Sequence, residues 1–149
     1  MFLALLFLLC YGVLCENGLH IHNASDFIQF SKAVNSGSNL EKATVFLDAD
    51  IDFSGGFSEQ FEPIGTSSYD FQGKFDGQGH TVSNLVISSP QQFIGLFGYS
   101  KGVTIRNVVL DPSCSIVSSY NGSYYIYVGG IIGYYKAYDK ASIIENTVN

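Results

Sequence analysis

The residues able to do chemistry fall into two acidic and histidine groups. Asp48, Asp50 and Asp52 alternate with Leu47, Ala49, Ile51 and Phe53, so an extended chain would point all three carboxyls to one side. Two carboxyls about 5–9 Å apart can hydrolyse a glycosidic bond, one as acid and the other as base or nucleophile. Any i, i+2 pair on a strand meets that separation. The same row invites a calcium reading, because Glu59 is twelfth counting from Asp48. Phe53, however, stands sixth, where such a loop needs glycine for its turn. A solvated strand face explains the row without an ion, so no cofactor is expected, with calcium the one considered. Asp76 precedes Gly77 as in an ordinary turn, and Asp70 lies in a Ser-rich loop. Arg106 falls on an outward strand position where Glu145 could pair with it, contributing at most about 1 kcal/mol. His20 and His22 would share one face of a strand, but no third metal ligand is evident, and a flexible N-terminal segment is expected there. His80 is expected to bond locally. The nucleophile pattern G-x-S-x-G is absent. No catalytic or metal-binding residues are expected.

The tyrosines are the more function-like feature. Seven of the 10 lie between Tyr120 and Tyr138. Tyrosine suits binding surfaces because it is rigid and amphipathic and stacks on sugars or peptides. Tyr120, Tyr124, Tyr125 and Tyr127 form the candidate recognition surface, for glycans or for host or surface proteins. The alternative is a hairpin held by cross-strand aromatic pairs.

The elements that must position these groups follow from composition. The 149 residues carry 7 basic and 13 acidic side chains, a net charge of -6, and only 13% are charged. Acidity with a single Arg excludes nucleic-acid binding, which requires clustered positive charge. An apolar content of 46% excludes a wholly disordered chain. Sixteen glycines, 12 Phe and 10 Tyr with no Trp favour a β-rich extracellular protein of one domain.

Residues 1–15, MFLALLFLLCYGVLC, read as a secretory signal. Their apolar run is shorter than the roughly 20 residues of a membrane-spanning helix. Cleavage before Glu16 leaves residues 16–24 as an N-terminal segment and 25–149 as the folded domain, with no transmembrane anchor in this chain. Cys10 and Cys15 depart with the signal, so Cys114 alone remains and no disulfide can form within the chain. Asn23 and Asn121 head N-x-Ser glycosylation sequons.

One helix is predicted over residues 25–36. Ser25 is its N-cap, Asp26 is in the first turn, Phe27, Phe30 and Val34 form an apolar stripe, and Gly37 is the stop. After Lys42 the period becomes two, predicting a strand from Val45 to Phe53. Beyond it the chain repeats. Val82-Ser83-Asn84-Leu85 is echoed by Ile105-Arg106-Asn107-Val108 and by Ile144-Glu145-Asn146-Thr147. Gly73 precedes a Gly95–Gly98 copy and a Gly130–Gly133 copy of a second motif. Both series share a 22–23-residue spacing, with an insertion near residues 111–127. Such a period marks a solenoid, and its short strands and glycine corners predict an all-β coil. Asn84, Asn107 and Asn146 would stack as an amide ladder at left-handed bends. Gly73, Gly95, Gly98, Gly130 and Gly133 would form tight corners.

These residues carry a resemblance. Phe61-Glu62-Pro63-Ile64-Gly65 comes first, followed by Phe71-x-Gly73-x-Phe75-Asp76-Gly77-x-Gly79-His80-Thr81-Val82-x-Asn84-Leu85. With Gly95-Leu96-Phe97-Gly98-Tyr99 and the imperfect copy Gly130-Ile131-Ile132-Gly133-Tyr134, the pattern resembles GLUG-repeat proteins. The resemblance covers residues 25–149. It implies a right-handed parallel β-helix, related in shape to pectate lyases, in a secreted or surface adhesin-like protein. The expectation is an all-β right-handed parallel β-helix of about four coils, with the helix as its N-terminal cap and the C-terminal end incomplete. The expected function is a non-catalytic module for adhesion or scaffolding. The alternative is a fragment of a carbohydrate-active or peptidase-associated extracellular protein.

Overall fold

The chain returns again and again to lay short strands side by side in parallel. The computed structural model describes residues 18–38, 40–137 and 143–145. The expected signal over residues 1–15, with Cys10 and Cys15, and also Tyr138 and Asn146 lie outside the described residues. The largest sheet runs in the order β1 (Leu19–Ile21), β2 (Thr44–Leu47), β4 (Lys74–Asp76), β9 (Thr104–Arg106) and β14 (Ile143–Glu145). A second contains β3 (Ile51–Asp52), β5 (Thr81–Ser83) and β10 (Val109–Leu110). Three pairs complete the set: β6 (Val86–Ser89) with β11 (Ser115–Ser118), β7 (Phe93–Ile94) with β12 (Tyr127–Val128), and β8 (Phe97–Lys101) with β13 (Ile132–Lys136). Every pairing is parallel.

Register follows burial. Val45, Phe75 and Ile105 lie side by side and are all fully buried, as are Ile51 and Val82 in the second sheet. A one-residue slip would turn each of these apolar side chains out to water, so the hydrophobic alternation fixes the pairing.

The helix α1 spans Ala24–Asn35, one residue earlier than predicted. Its cap is Asn23, not Ser25, because the Asn23 side-chain oxygen accepts from the Asp26 backbone N–H at 2.9 Å. Phe27, Phe30 and Val34 are fully buried, as the stripe requires. Phe27 packs against Phe53, Phe61 and Phe75 with ring centroids 5.6–5.9 Å apart, and Phe30 meets Phe71 edge-on at 5.6 Å. Each such ring contributes roughly 1.5–3 kcal/mol of burial. Polar contacts lock the far end: the Ser31 hydroxyl donates to the Glu62 carbonyl at 2.6 Å, and Asn35 bridges the Pro63 carbonyl and the Gly65 N–H.

The expected all-β right-handed parallel β-helix of about four coils is overturned. The architecture is mixed α/β: strands of two to five residues in five small parallel sheets, with one 12-residue helix. The helix is no separate cap, since its three stripe residues belong to the same core as the strands. The 22–23-residue period fails too. Val45 lies beside Phe75, and Phe75 beside Ile105, an offset of 30 residues; the echo of Ile105-Arg106 at Ile144-Glu145, 39 residues on, does pair in register as the repeat predicts. The repeated asparagines mark two different bends with the same backbone geometry: Asn84 and Asn107 have φ of 54° and 55°. Sequence likeness there reports a shared left-handed turn, not a shared layer.

Three local expectations also change. The strand predicted from Val45 to Phe53 is broken at Asp48–Asp50, where the chain turns between β2 and β3. The segment around His20 is not flexible but forms β1, with Leu19 and Ile21 in the core. The region after Asp111 gives β11 and β12, each paired in parallel with an earlier strand, not a hairpin.

Candidate functional site

The carboxylate row is the first place where chemistry could occur. Breaking the strand at Asp48–Asp50 sets Asp48, Asp50 and Asp52 where side chains from β1, β5 and their turns reach them. His20 Nδ1 lies 2.6 Å from Asp48 Oδ2 and His22 Nδ1 3.6 Å from the same oxygen, while Gln78 donates to Asp48 Oδ1 at 2.9 Å. Asp50 accepts from the Thr81 N–H at 2.9 Å, and His80 Nδ1 lies 3.1 Å from it. The His80 imidazole therefore reaches across 30 residues, while its backbone N–H bonds locally to the Gly77 carbonyl at 2.8 Å. Asp52 accepts from Ser54 and from the Asn84 amide at 2.9 Å.

A fourth carboxylate, Asp76, sits at the end of β4 and is nearly buried. As its turn position predicts, it accepts from the Gln78 N–H at 3.0 Å. It also accepts from the Asn107 amide at 3.0 Å and from Arg106. The expected Arg106–Glu145 ion pair gives way to this one. Glu145 stands opposite Arg106 in register but meets Asn107 through its backbone carbonyl, 3.2 Å from the Asn107 N–H.

The expected ladder of Asn84 on Asn107 is likewise not formed. Each amide donates to a carboxylate instead, Asn84 to Asp52 and Asn107 to Asp76. An αL asparagine presents its side chain back along its own turn, where the neighbouring strand ends in an aspartate.

These bonds set the acidities. Partial burial opposes ionisation of Asp48, but hydrogen bonds from His20 and Gln78 and the nearby imidazoles prevail and hold its carboxyl below the usual range. Burial likewise opposes ionisation of Asp76, and the Asn107, Gln78 and Arg106 contacts outweigh it. The Thr81 N–H and then His80 lower Asp50, and Asn84 and Ser54 lower Asp52. A general acid needs its carboxyl raised toward neutrality. All four are shifted the other way, and each accepts hydrogen bonds from protein donors that tie turns together. No group of three or more metal-ligating side chains suited to an ion is found among the described residues. Cys114 is part-buried, its thiol donating to the Val82 carbonyl at 3.2 Å, and burial first of all pushes its acidity down, raising its pKa.

The aromatic face is different, because its groups point outward. On β7, β8, β12 and β13 the inward positions Ile94, Phe97 and Ser100 are buried, leaving Phe93, Tyr99, Tyr127 and Tyr134 on the outer side. Tyr99 lies beside Tyr134 in register, and Phe93 beside Tyr127. The four rings form one cluster. Phe93 has centroids 5.1 Å from Tyr99, 5.5 Å from Tyr127 and 4.9 Å from Tyr134, and Tyr134 lies 5.1 Å from both Tyr99 and Tyr127. Close backbone approach makes this possible. A Cβ on Gly133 would stand 2.5 Å from the Ile94 carbonyl oxygen, and one on Gly95 would stand 2.8 Å from the Gly133 nitrogen. Gly130 contributes its carbonyl to the Leu96 N–H at 3.0 Å, and Gly98 donates to Ile64 at 2.8 Å. Gly73 receives the Thr104 N–H on its carbonyl.

Of the predicted recognition tyrosines, only Tyr127 joins this cluster. Tyr124 and Tyr125 are 78% and 83% exposed beside it, and the Tyr125 carbonyl accepts from Gln92 at 2.6 Å. Tyr120 lies half-buried against Gly122. Phe93, Tyr99 and Tyr134 were missed. The signal was in the sequence: Tyr99 and Tyr134 each close a copy of the glycine motif, and side-by-side copies put like residues together. Asn121 is exposed, whereas Asn23 is occupied as the helix cap.

No helix among the described residues is long and apolar enough to cross a bilayer. No family model matches the chain, and no solved structure matches it. Halomucin of Haloquadratum walsbyi is similar to it, at 38% identity over 77 aligned positions that cover 45% of this chain. The chain spans about 1% of the length of that relative.

Proposed function

We propose that this chain is a secreted or cell-surface module of GLUG-repeat type that works by adhesion and not by catalysis, with the Phe93–Tyr99–Tyr127–Tyr134 face as its contact surface. The observation that carries this reading is the outward aromatic cluster itself. Aromatic rings in a half-exposed group offer stacking area at little conformational cost. Exposed Tyr124, Tyr125, Ile126 and Val128 extend the apolar surface beside it. The likeness to Halomucin and the export-type leader of the sequence support an extracellular setting. The carboxylates argue against the glycosidase alternative, since Asp48, Asp50, Asp52 and Asp76 are all engaged in turn-to-turn bonds.

The test uses the full chain, expressed with its leader in a secreting host. The protein is expected in the medium, and expected to bind immobilised surface polysaccharides or cell-envelope preparations. Tyr127→Ala combined with Tyr134→Ala should abolish that binding while leaving the far-ultraviolet circular dichroism spectrum unchanged. Retention inside the cell would sink the extracellular part, and binding indifferent to both substitutions would sink the assignment of the face.

A further inference from the structure

The loop between β11 and β12 sets one asparagine apart. The other described asparagines have engaged side chains: Asn23 caps α1, Asn35 bridges Pro63 and Gly65, Asn84 donates to Asp52, and Asn107 donates to Asp76. Asn121 is exposed, and among the described residues its carboxamide has no hydrogen-bond partner. It heads Asn121-Gly122-Ser123, the acceptor pattern for N-linked sugar, and all three residues are exposed. The turn is shaped by Tyr120, whose N–H donates to the Ser118 hydroxyl at 3.1 Å and whose ring packs directly on Gly122. A side chain on Gly122 would collide with that phenol, so the turn holds its form with Asn121 in solvent.

The segment after this turn is exposed and uncharged. No charged side chain occurs from Pro112 to Tyr135, in a chain whose net charge is -6. Within that stretch Tyr124, Tyr125, Ile126, Tyr127 and Val128 are exposed in succession. Residues Ser123 to Val128 include no Pro, no Gly and no charge, and are rich in β-forming types, the make-up of segments that pair with copies of themselves. Among the described residues β12 is joined to β7 alone, so it is an edge strand. Proteins guard such edges with flanking charges or proline, and neither stands beside this one.

We infer that Asn121 carries an N-linked glycan, and that this glycan takes the place of the missing charges in keeping the Tyr124–Val128 segment from pairing with a second copy. The inference rests on the extracellular part of the reading above and adds a modification site and its purpose. In the transfer, Nδ2 of Asn121 forms a bond to C1 of the first sugar of a lipid-linked oligosaccharide. The C1–O bond to the lipid pyrophosphate breaks, and one amide proton goes to the released pyrophosphate. No electron is exchanged. Tyr124 is three residues from Asn121, a reach of at most about 11 Å. The first sugars therefore stand beside Tyr124 and Tyr125, whose rings offer their faces to sugar C–H groups. A bulky, hydrated glycan at that place blocks the approach of another strand edge. It also narrows the open contact surface to the four-ring cluster of Phe93, Tyr99, Tyr127 and Tyr134.

The experiment expresses the full chain with its leader in a secreting eukaryotic host. Secreted protein is expected to lose mass on treatment with peptide-N-glycosidase, and peptide mapping should place the sugar on Asn121. Asn121→Gln and Ser123→Ala should each abolish that modification, and Ser123→Thr should keep it. In sedimentation velocity, Asn121→Gln should self-associate at about tenfold lower concentration than the glycosylated chain, with an unchanged melting temperature. Enzymatically deglycosylated protein should do the same, and it serves if Asn121→Gln folds poorly. Adding Tyr125→Lys to Asn121→Gln should restore the behaviour of the glycosylated chain, because a charge then guards the segment. Protein secreted with Asn121 bare, or with sugar on Asn23 alone, would overturn the inference and leave the adhesive reading standing. Self-association that is unchanged by removing the sugar would overturn it as well. Retention in the cytosol would sink it together with the extracellular reading. Failure of adhesion is read apart from these outcomes, as a chain that carries its sugar yet binds no cell-envelope material.

Discussion

Arg106 reaches from the end of β9 to Asp76 at the end of β4, its Nη2 2.8 Å and its Nε 2.9 Å from the same carboxylate oxygen. The two residues are opposite one another in register, so the ion pair crosses a strand pairing at the point where both strands turn. Asp76 is the more buried partner, and it also holds Gln78 and Asn107. The pair therefore links two turns to one carboxylate.

Removing the carboxylate should matter more than removing the cation. Asp76→Ala leaves the donors of Arg106, Asn107 and Gln78 without their acceptor and is expected to cost about 1–3 kcal/mol. Arg106→Ala, at a side chain nearly half exposed, is expected to cost less than about 1 kcal/mol. Urea unfolding followed by far-ultraviolet circular dichroism checks the order, and equal losses would contradict it.

The acid limb of stability follows from the same bonds. Asp48, Asp50, Asp52, Asp76 and Asp111 all have their pKa held below its ordinary value in the folded chain. A group whose folded value is depressed contributes stability that is complete above its unfolded value, about 3.9, and disappears as pH falls through the lower folded value. The urea midpoint is expected to fall steadily from about pH 5 to about pH 2. Asp76→Asn should flatten part of that slope. A midpoint that rises on acidification would contradict the sign.

Gly133 has no room for a side chain, since a Cβ would press on the Ile94 backbone. Gly133→Ala is expected to destabilise by about 1–3 kcal/mol, by forcing β13 away from β7. The same displacement should separate Tyr134 from Phe93, so near-ultraviolet tyrosine dichroism should fall along with the melting temperature.

Asn84 combines a left-handed backbone with the Asp52 hydrogen bond. Asn84→Gly keeps the backbone and loses the bond, at about 1 kcal/mol. Asn84→Ala loses both, at about 1 kcal/mol more. Thermal melts should rank wild type, glycine variant and alanine variant in that order.

What the sequence made legible was local. The stripe Phe27–Phe30–Val34 and the turn at Asp76-Gly77 are short-range patterns, and they emerge where their spacing puts them. What it concealed was which segments become neighbours. Alternation from Val45 to Phe53 continues unbroken through a turn, because apolar residues are needed on both sides of it, so the pattern could not show the break at Asp48–Asp50. The 23-residue interval from Asn84 to Asn107 joined two bends of like geometry, while the pairing offset beneath it is 30 residues at Phe75–Ile105. Long-range partners such as His80 with Asp50 depend on that offset, so an error in period hid all of them together. The aromatic face was half visible. Tyr127 was singled out, and the Gly95–Tyr99 and Gly130–Tyr134 copies pair with Tyr99 beside Tyr134, but no repeat in the sequence linked Phe93 with Tyr127.

The chain lacks Trp, and every described tyrosine is at least partly open to solvent while the phenylalanines Phe27, Phe30, Phe53, Phe71, Phe75 and Phe97 fill the interior. The protein thus carries its own optical label, sorted by depth. Excitation near 275–280 nm reaches the tyrosines, all exterior among the described residues, so their emission reports what lands on the molecule, and phenylalanine fine structure below that wavelength, to which six fully buried rings contribute, reports whether the interior is intact. Occupancy and unfolding can be followed in one cuvette without attaching a dye.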